Sequence, residues 1–191
     1  SAGRIPSDTG YRYFVDQLMK LRQLTHKEME FIEAEYKKAG RDLEELFHTT
    51  LKVAATLSHL LAVITTSRLP FRVLSSGLSN IARQPEFSDS EHIKNILSVV
   101  EQEDIISNII NRSAKDEEIT IRIGSEIKHK KIKDCSIVVS KYDLPAGRHG
   151  LFGESVGTVS IIGPTRMTYD KVTSIVGAVS RTLREILYEK S

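Results

Sequence analysis

Four short β-branched runs, residues 61–66, 119–123, 135–139 and 156–162, interrupt a chain whose other apolar residues recur at helical spacing. Strands this short cannot bury both faces alone. They require a shared sheet with helices laid over it, and the intervening helical segments must supply the cover.

The helical segments carry recognisable ends. Ser7 and Asp8 predict the N-cap of a first helix running to about Leu21, with Tyr11, Phe14, Val15 and Leu18 turned inward. Thr25 and Glu28 have capping-box spacing, Ile32 and Tyr36 follow Met29 at helical intervals, and Gly40 is a stop. A third helix starts near Asp42, carries Leu43, Leu46, Phe47, Leu51 and Ala54, and continues past Leu57. Ser88 and Glu91 predict another capping box, opening a helix with Ile93, Ile96, Leu97 and Val100 inward. Ile105, Ile106, Ile109 and Ile110 mark further helical turns, and a long helix from about Tyr169 to Tyr188 closes the chain. The interleaved pattern predicts an α/β or α+β domain of modest size, with α+β the expected class: a helical N-terminal part, then a mixed or antiparallel sheet, then a long C-terminal helix.

Two junctions break the pattern. No Gly, Pro, Asn or Asp separates the third helix from the run at 61–66, and a single proline separates two strand-like pieces at 69–74. Residues are therefore expected to be absent near 60–61 and 70–71.

Composition narrows the function. The chain has 191 residues, 40% hydrophobic, with a formal net charge of +2, so it can bury a core and has no gross bias toward nucleic acid or membrane. Cys135 is the single cysteine, which excludes an intramolecular disulfide framework, and no Cys/His cluster has zinc-ligand spacing. A reducing cytoplasm fits, no apolar stretch reaches the length of a membrane span, and the opening residues lack the n-region and h-region of a signal peptide. Neither a metal nor another cofactor is expected.

The chemical motifs are weak. The sequence GESVG, residues 153–157, matches a nucleophile-elbow pattern with Ser155 central and Asp143 and His149 nearby, but the elbow requires a strand before its serine and a helix after it. Here a glycine-rich loop precedes Ser155 and a strand follows, so no enzyme activity is expected. Gly163 to Met167, at the mouth of the last helix, could hold an anion with Arg166; an Arg166–carboxylate pair is the structural reading. Lys128 to Lys133 is the one dense basic run and, without interleaved aromatics, reads as a solvated hairpin, with nucleic-acid contact the alternative. His48, His59 and His92 lack partners in metal spacing, and Cys135 shares its alternating phase with Ile137 and Val139, as a buried inert thiol would.

Three stretches in order, SAGRIPSDTGYRYFVDQLM at the start, GLSNIARQPEF at 77–87 and GTVSIIGPTRMTYDKV at 157–172, resemble the heat-inducible transcription repressors of the HrcA family. IRIGSE at 121–126 and DCSIVVSKY at 134–142 resemble further family segments. The resemblance implies that residues 1–10 are the linker from a winged-helix DNA-binding domain absent from this chain. Residues 11–60 would be a helical segment for dimerisation or packing, and 61–191 a GAF-like regulatory domain. It places Arg4 next to the wing, within reach of a DNA phosphate; an interdomain ion pair is the other reading. It implies a homodimer on an inverted-repeat operator, called CIRCE, and activity maintained by the GroE chaperonin. A small-molecule sensor built on the GAF-like domain is the alternative, separable by a ligand-dependent rise in melting temperature.

Overall fold

The structure is a computed structural model that describes residues 6–40, 42–66, 72–87, 89–114, 118–144 and 155–189. Five strands form one antiparallel sheet: β1 (Leu61–Thr66), β2 (Arg72–Ser76), β3 (Ile119–Ile123), β4 (Cys135–Leu144) and β5 (Ser155–Pro164), in the order β2-β1-β5-β4-β3. The long β4–β5 ladder, from Cys135↔Pro164 to Leu144↔Ser155, is its spine. Both strands extend beyond the β-branched runs because backbone pairing continues through Asp143 and Gly163, residue types depleted in strands.

Side-chain alternation divides the core in two. Ala62, Ile64, Val138, Tyr142, Val159 and Ile161 face α2 (His26–Ala39), α3 (Leu43–Ser58) and α7 (Tyr169–Tyr188). Leu61, Val63, Cys135, Ile137, Val139 and Ile162 face α4 (Leu78–Ala82), α5 (Ser90–Val100) and α6 (Glu103–Ser113). The sheet is thus the middle of three layers, and its central strands are buried on both faces. Each fully buried Ile or Leu contributes roughly 1.5–3 kcal/mol relative to exposure. The helices are also tied by polar contacts: Tyr36 Oη lies 2.6 Å from Thr50 Oγ1 and donates to the Val179 carbonyl at 3.3 Å, linking α2, α3 and α7.

Local signals place α2 and α3 well. Thr25 and Glu28 form the reciprocal capping box, and Asp42 caps α3 through the Glu45 N–H. The Thr25 N–H bond comes first among the causes that hold the Glu28 carboxyl below its ordinary value. The N-terminal helix differs from expectation. Ser7 does cap it, accepting from the Gly10 N–H at 3.3 Å, but α1 spans only Asp8–Tyr13 and passes into a π-helical turn, Phe14–Leu18, that ends at an extended Met19. Tyr11 and Val15 pack on the core while Phe14 and Leu18 stay exposed, because the π-helical turn that begins at Phe14 breaks the 3.6-residue period that would have kept all four on one stripe. Ser88 lies outside the described residues; the cap of α5 is Asp89, which accepts from the Glu91 N–H at 3.2 Å.

The helix-to-strand junction after α3 has turn chemistry after all. His59 adopts the left-handed conformation, φ +56°, and ends the helix by donating its N–H to the Ala55 carbonyl. Ser58 Oγ accepts from the Leu60 N–H at 3.1 Å. The second junction falls in 67–71, outside the described residues.

Candidate functional site

The left-handed conformation at His59 is costly for a residue with a Cβ, about 1–2 kcal/mol. Its compensation comes from the segment at 77–87. Asn80 Nδ2 donates to the carbonyls of both Ala55 and Leu60, each at 3.2 Å, and Gln84 Nε2 reaches the His59 carbonyl at 3.4 Å. Gly77, at φ +92°, lies so close that a Cβ there would sit 2.3 Å from the Leu60 carbonyl oxygen. Only glycine satisfies both the dihedral and the approach. Phe87 then buries itself under α5, and Glu86 turns toward the C-terminal end of β5.

There Arg166 pairs with Glu86, the carboxylate partner expected for that arginine. The chain turns through the Met167 N–H to Pro164 carbonyl bond at 2.9 Å and enters α7. Tyr169 Oη anchors the turn by bonding the Thr165 carbonyl at 2.6 Å and lying 2.8 Å from Ser136 Oγ. The segments 77–87 and 157–172 therefore meet around the start of α7. They enclose a cleft of about 230 Å³ whose lining includes His59, Gln84, Arg166, Thr168 and Lys171. Its two cations are paired with carboxylates outside the lining: Arg166 with Glu86, and Lys171 with Glu28 at 3.7 Å.

A second polar cluster, which the sequence does not announce, fastens α1 to the turn after β3. The Asp8 carboxylate accepts from Ser125 N at 2.8 Å and from Ser125 Oγ at 2.9 Å. One helical turn on, Arg12 binds Glu126 through Nε and Nη2 and donates to the Ile121 carbonyl at 2.8 Å, satisfying an edge acceptor of β3. Burial alone would raise the Glu126 carboxyl, but the bonds from Arg12 and the Ile123 N–H outweigh it and hold the group below its ordinary value. The Glu126 hydrogen bond is in turn the main reason the Arg12 guanidinium is raised. The sequence signals for this cluster were the opening stretch that holds Asp8 and Arg12 and the IRIGSE segment; nothing in the spacing of either pointed to a contact between them across more than a hundred residues.

The other candidates separate. Arg4 and His149 lie outside the described residues. Ser155 is the first residue of β5, paired with Leu144, so the serine starts a strand instead of ending one, and no elbow geometry exists there. Cys135 is buried, and burial pushes its thiol up to about 12, as an inert core cysteine requires. His48 is exposed on α3, His59 is the left-handed cap, and His92 sits between Asp89 at 3.6 Å and Asp134 at 3.5 Å. Among the described residues no group of three His, Cys, Asp or Glu side chains could hold a metal ion, and no helix is long and apolar enough to cross a membrane.

An antiparallel sheet in this strand order, covered by helices on both faces and tied by structural polar contacts, defines an α+β module with a GAF-like fold. A crystal structure of a hypothetical protein shares that fold with a TM-score of 0.74 at 16% identity, covering all of this chain and 81% of the other. Residues 13–173 match the family described as HrcA protein C terminal domain, and the chain belongs to the HrcA family. Curated relatives are named heat-inducible transcription repressor HrcA. The protein of Pelotomaculum thermopropionicum is 26% identical over 285 residues, covering 98% of this chain and 80% of the relative. That of Desulforudis audaxviator is 34% identical over 148 residues, covering 76% of this chain and 41% of the relative. The chain is accordingly a negative regulator of heat-shock transcription, and as such works on DNA.

Proposed function

We propose that this chain is the regulatory and dimerisation part of a dimeric repressor that binds an inverted-repeat CIRCE operator upstream of chaperone genes. In this reading residues 1–10 strap the body to a winged-helix reader, with Arg4 beside the wing. Residues 11–60 pack the helical layer, and 61–191 form the GAF-like domain. The observation that carries the reading is the meeting of the 77–87 and 157–172 segments around the His59 turn, since the resemblance lies in those segments and they form one structural knot. Their contacts position backbone and do no chemistry, as a scaffold holding two readers in register requires.

The relative from Pelotomaculum thermopropionicum is matched over 285 residues by a chain of 191, so it carries additional residues inside the matched span. This supports the reading that the 70–71 junction stands where relatives have a longer middle. GroE chaperonin as the partner that maintains the active state, a cytoplasmic location and the lack of enzyme activity follow from the same reading. Heat then acts by lowering the population of the DNA-competent fold.

Fluorescence anisotropy of the full-length protein at fixed salt tests it, on an inverted repeat, a half-site and a scrambled duplex. Selective tight binding to the full repeat is expected. Equal weak binding to all three overturns the reading.

A further inference from the structure

The basic run at 128–133 is not a hairpin arm. Ile127 and Ile132 are both buried against the α5 and α6 side of the sheet and pin the segment at two points. Lys128 is left-handed at φ +57°, and Lys130–Ile132 forms a 3₁₀ turn. Lys128, Lys130, Lys131 and Lys133 are all exposed. Side chains three apart on such a turn eclipse one another, so Lys130 and Lys133 project from one edge, about 6 Å apart along it. Lys131 Nζ donates to Ser98 Oγ at 2.9 Å. Among the described residues, Lys128, Lys130 and Lys133 form no ion pair. Of the two nearest carboxylates in sequence, Glu126 is engaged by Arg12, and Asp134 lies 3.5 Å from His92 Nε2. Four cations are thus held side by side on an ordered turn in a chain whose net charge is only +2.

We propose that this ridge is a second, sequence-independent DNA contact that receives the phosphate backbone. Two observations select DNA over an acidic protein surface. The only apolar side chain between Lys128 and Lys133 is Ile132, 2% exposed, so the ridge offers no apolar anchor of the kind that carries protein–protein affinity, while phosphates need only charge. The ridge also adjoins the point where α1 comes onto the body: Asp8 binds Ser125, and Ser125 accepts from the Lys128 N–H at 3.2 Å. DNA held by a reader preceding residue 8 would pass near these lysines. That step rests on the reading given under Proposed function.

The test uses the 191-residue chain itself with a labelled duplex of about 30 base pairs and arbitrary sequence, titrated at about 25 to 200 mM salt. Weak binding is expected, with affinity falling as salt rises. K128Q/K130Q/K133Q should flatten the slope of log affinity against log salt by about 0.9 for each phosphate that the ridge no longer neutralises. K27Q/K37Q, on α2 across the sheet, should leave the slope unchanged, and melting curves should show all variants folded. Salt-insensitive or undetectable binding by the wild-type chain overturns the proposal. So does an unchanged slope in the triple variant, an equal flattening in the α2 variant, or tighter binding of polyglutamate than of the duplex at the same salt. Operator selectivity is read separately, by the repeat against the scrambled duplex, so the ridge and the repressor reading fail independently.

Discussion

Gly124→Ala probes how α1 is held. Gly124 has φ +52°, and a Cβ there would lie 2.3 Å from Asp8 Oδ2. The left-handed conformation costs an alanine roughly 1 kcal/mol. The carboxylate is the movable end of a side chain, so it yields and gives up its two bonds to Ser125, which at this exposed site are together worth about 1 kcal/mol. The expected loss is therefore about 2 kcal/mol, which for a chain of this size lowers the melting temperature by roughly 4–8 °C if unfolding is two-state. Asp8→Ala should lose about 1 kcal/mol by removing the bonds without the strain. The double variant should then lose about 2 kcal/mol, because the bonds can be lost only once. Denaturant melts of the four proteins measure the cycle, and hydrogen exchange over residues 8–18 locates the loss. Strict additivity, or unchanged exchange in α1, would refute the claim that the glycine exists to seat Asp8.

Three further outcomes follow from the same contacts. Gly77→Ala should destabilise by about 3 kcal/mol or more, since its Cβ would meet the fixed Leu60 carbonyl and the left-handed dihedral is retained; wild-type-like melting would contradict this. Asn80→Ala removes both side-chain bonds at the His59 turn, leaving the Ala55 carbonyl only its bond from the His59 N–H, and should cost about 1–3 kcal/mol, a loss that His59→Gly partly restores by relieving the strain, readable in the same melts. Because the folded Glu126 carboxyl lies below its unfolded value, its contribution is present above about pH 4.3 and disappears as pH falls through the folded value; E126Q should flatten that part of the stability–pH profile.

Local chemistry accounts for what was legible from the amino-acid order alone. The Thr25–Glu28 box, the Asp42 cap, the 3.6-residue period of α7 and the alternation of β3 are written within a few residues of where they act, so α2, α3, α7 and β3 follow from them directly. The burial of Cys135 is legible for the same reason, from its phase in β4. The sequence by itself therefore determined an α+β body with a covered sheet. Tertiary contacts decided the rest. The left-handed His59 turn has no local signature because the groups that compensate it, Asn80 and Gln84, arrive from more than twenty residues downstream. α1 ends early in a π-helical turn, and its seat is supplied by Gly124 to Glu126, more than a hundred residues downstream. A cap or a period is a property of neighbouring residues, whereas a stranded carbonyl or an edge acceptor exists only once distant segments have folded together.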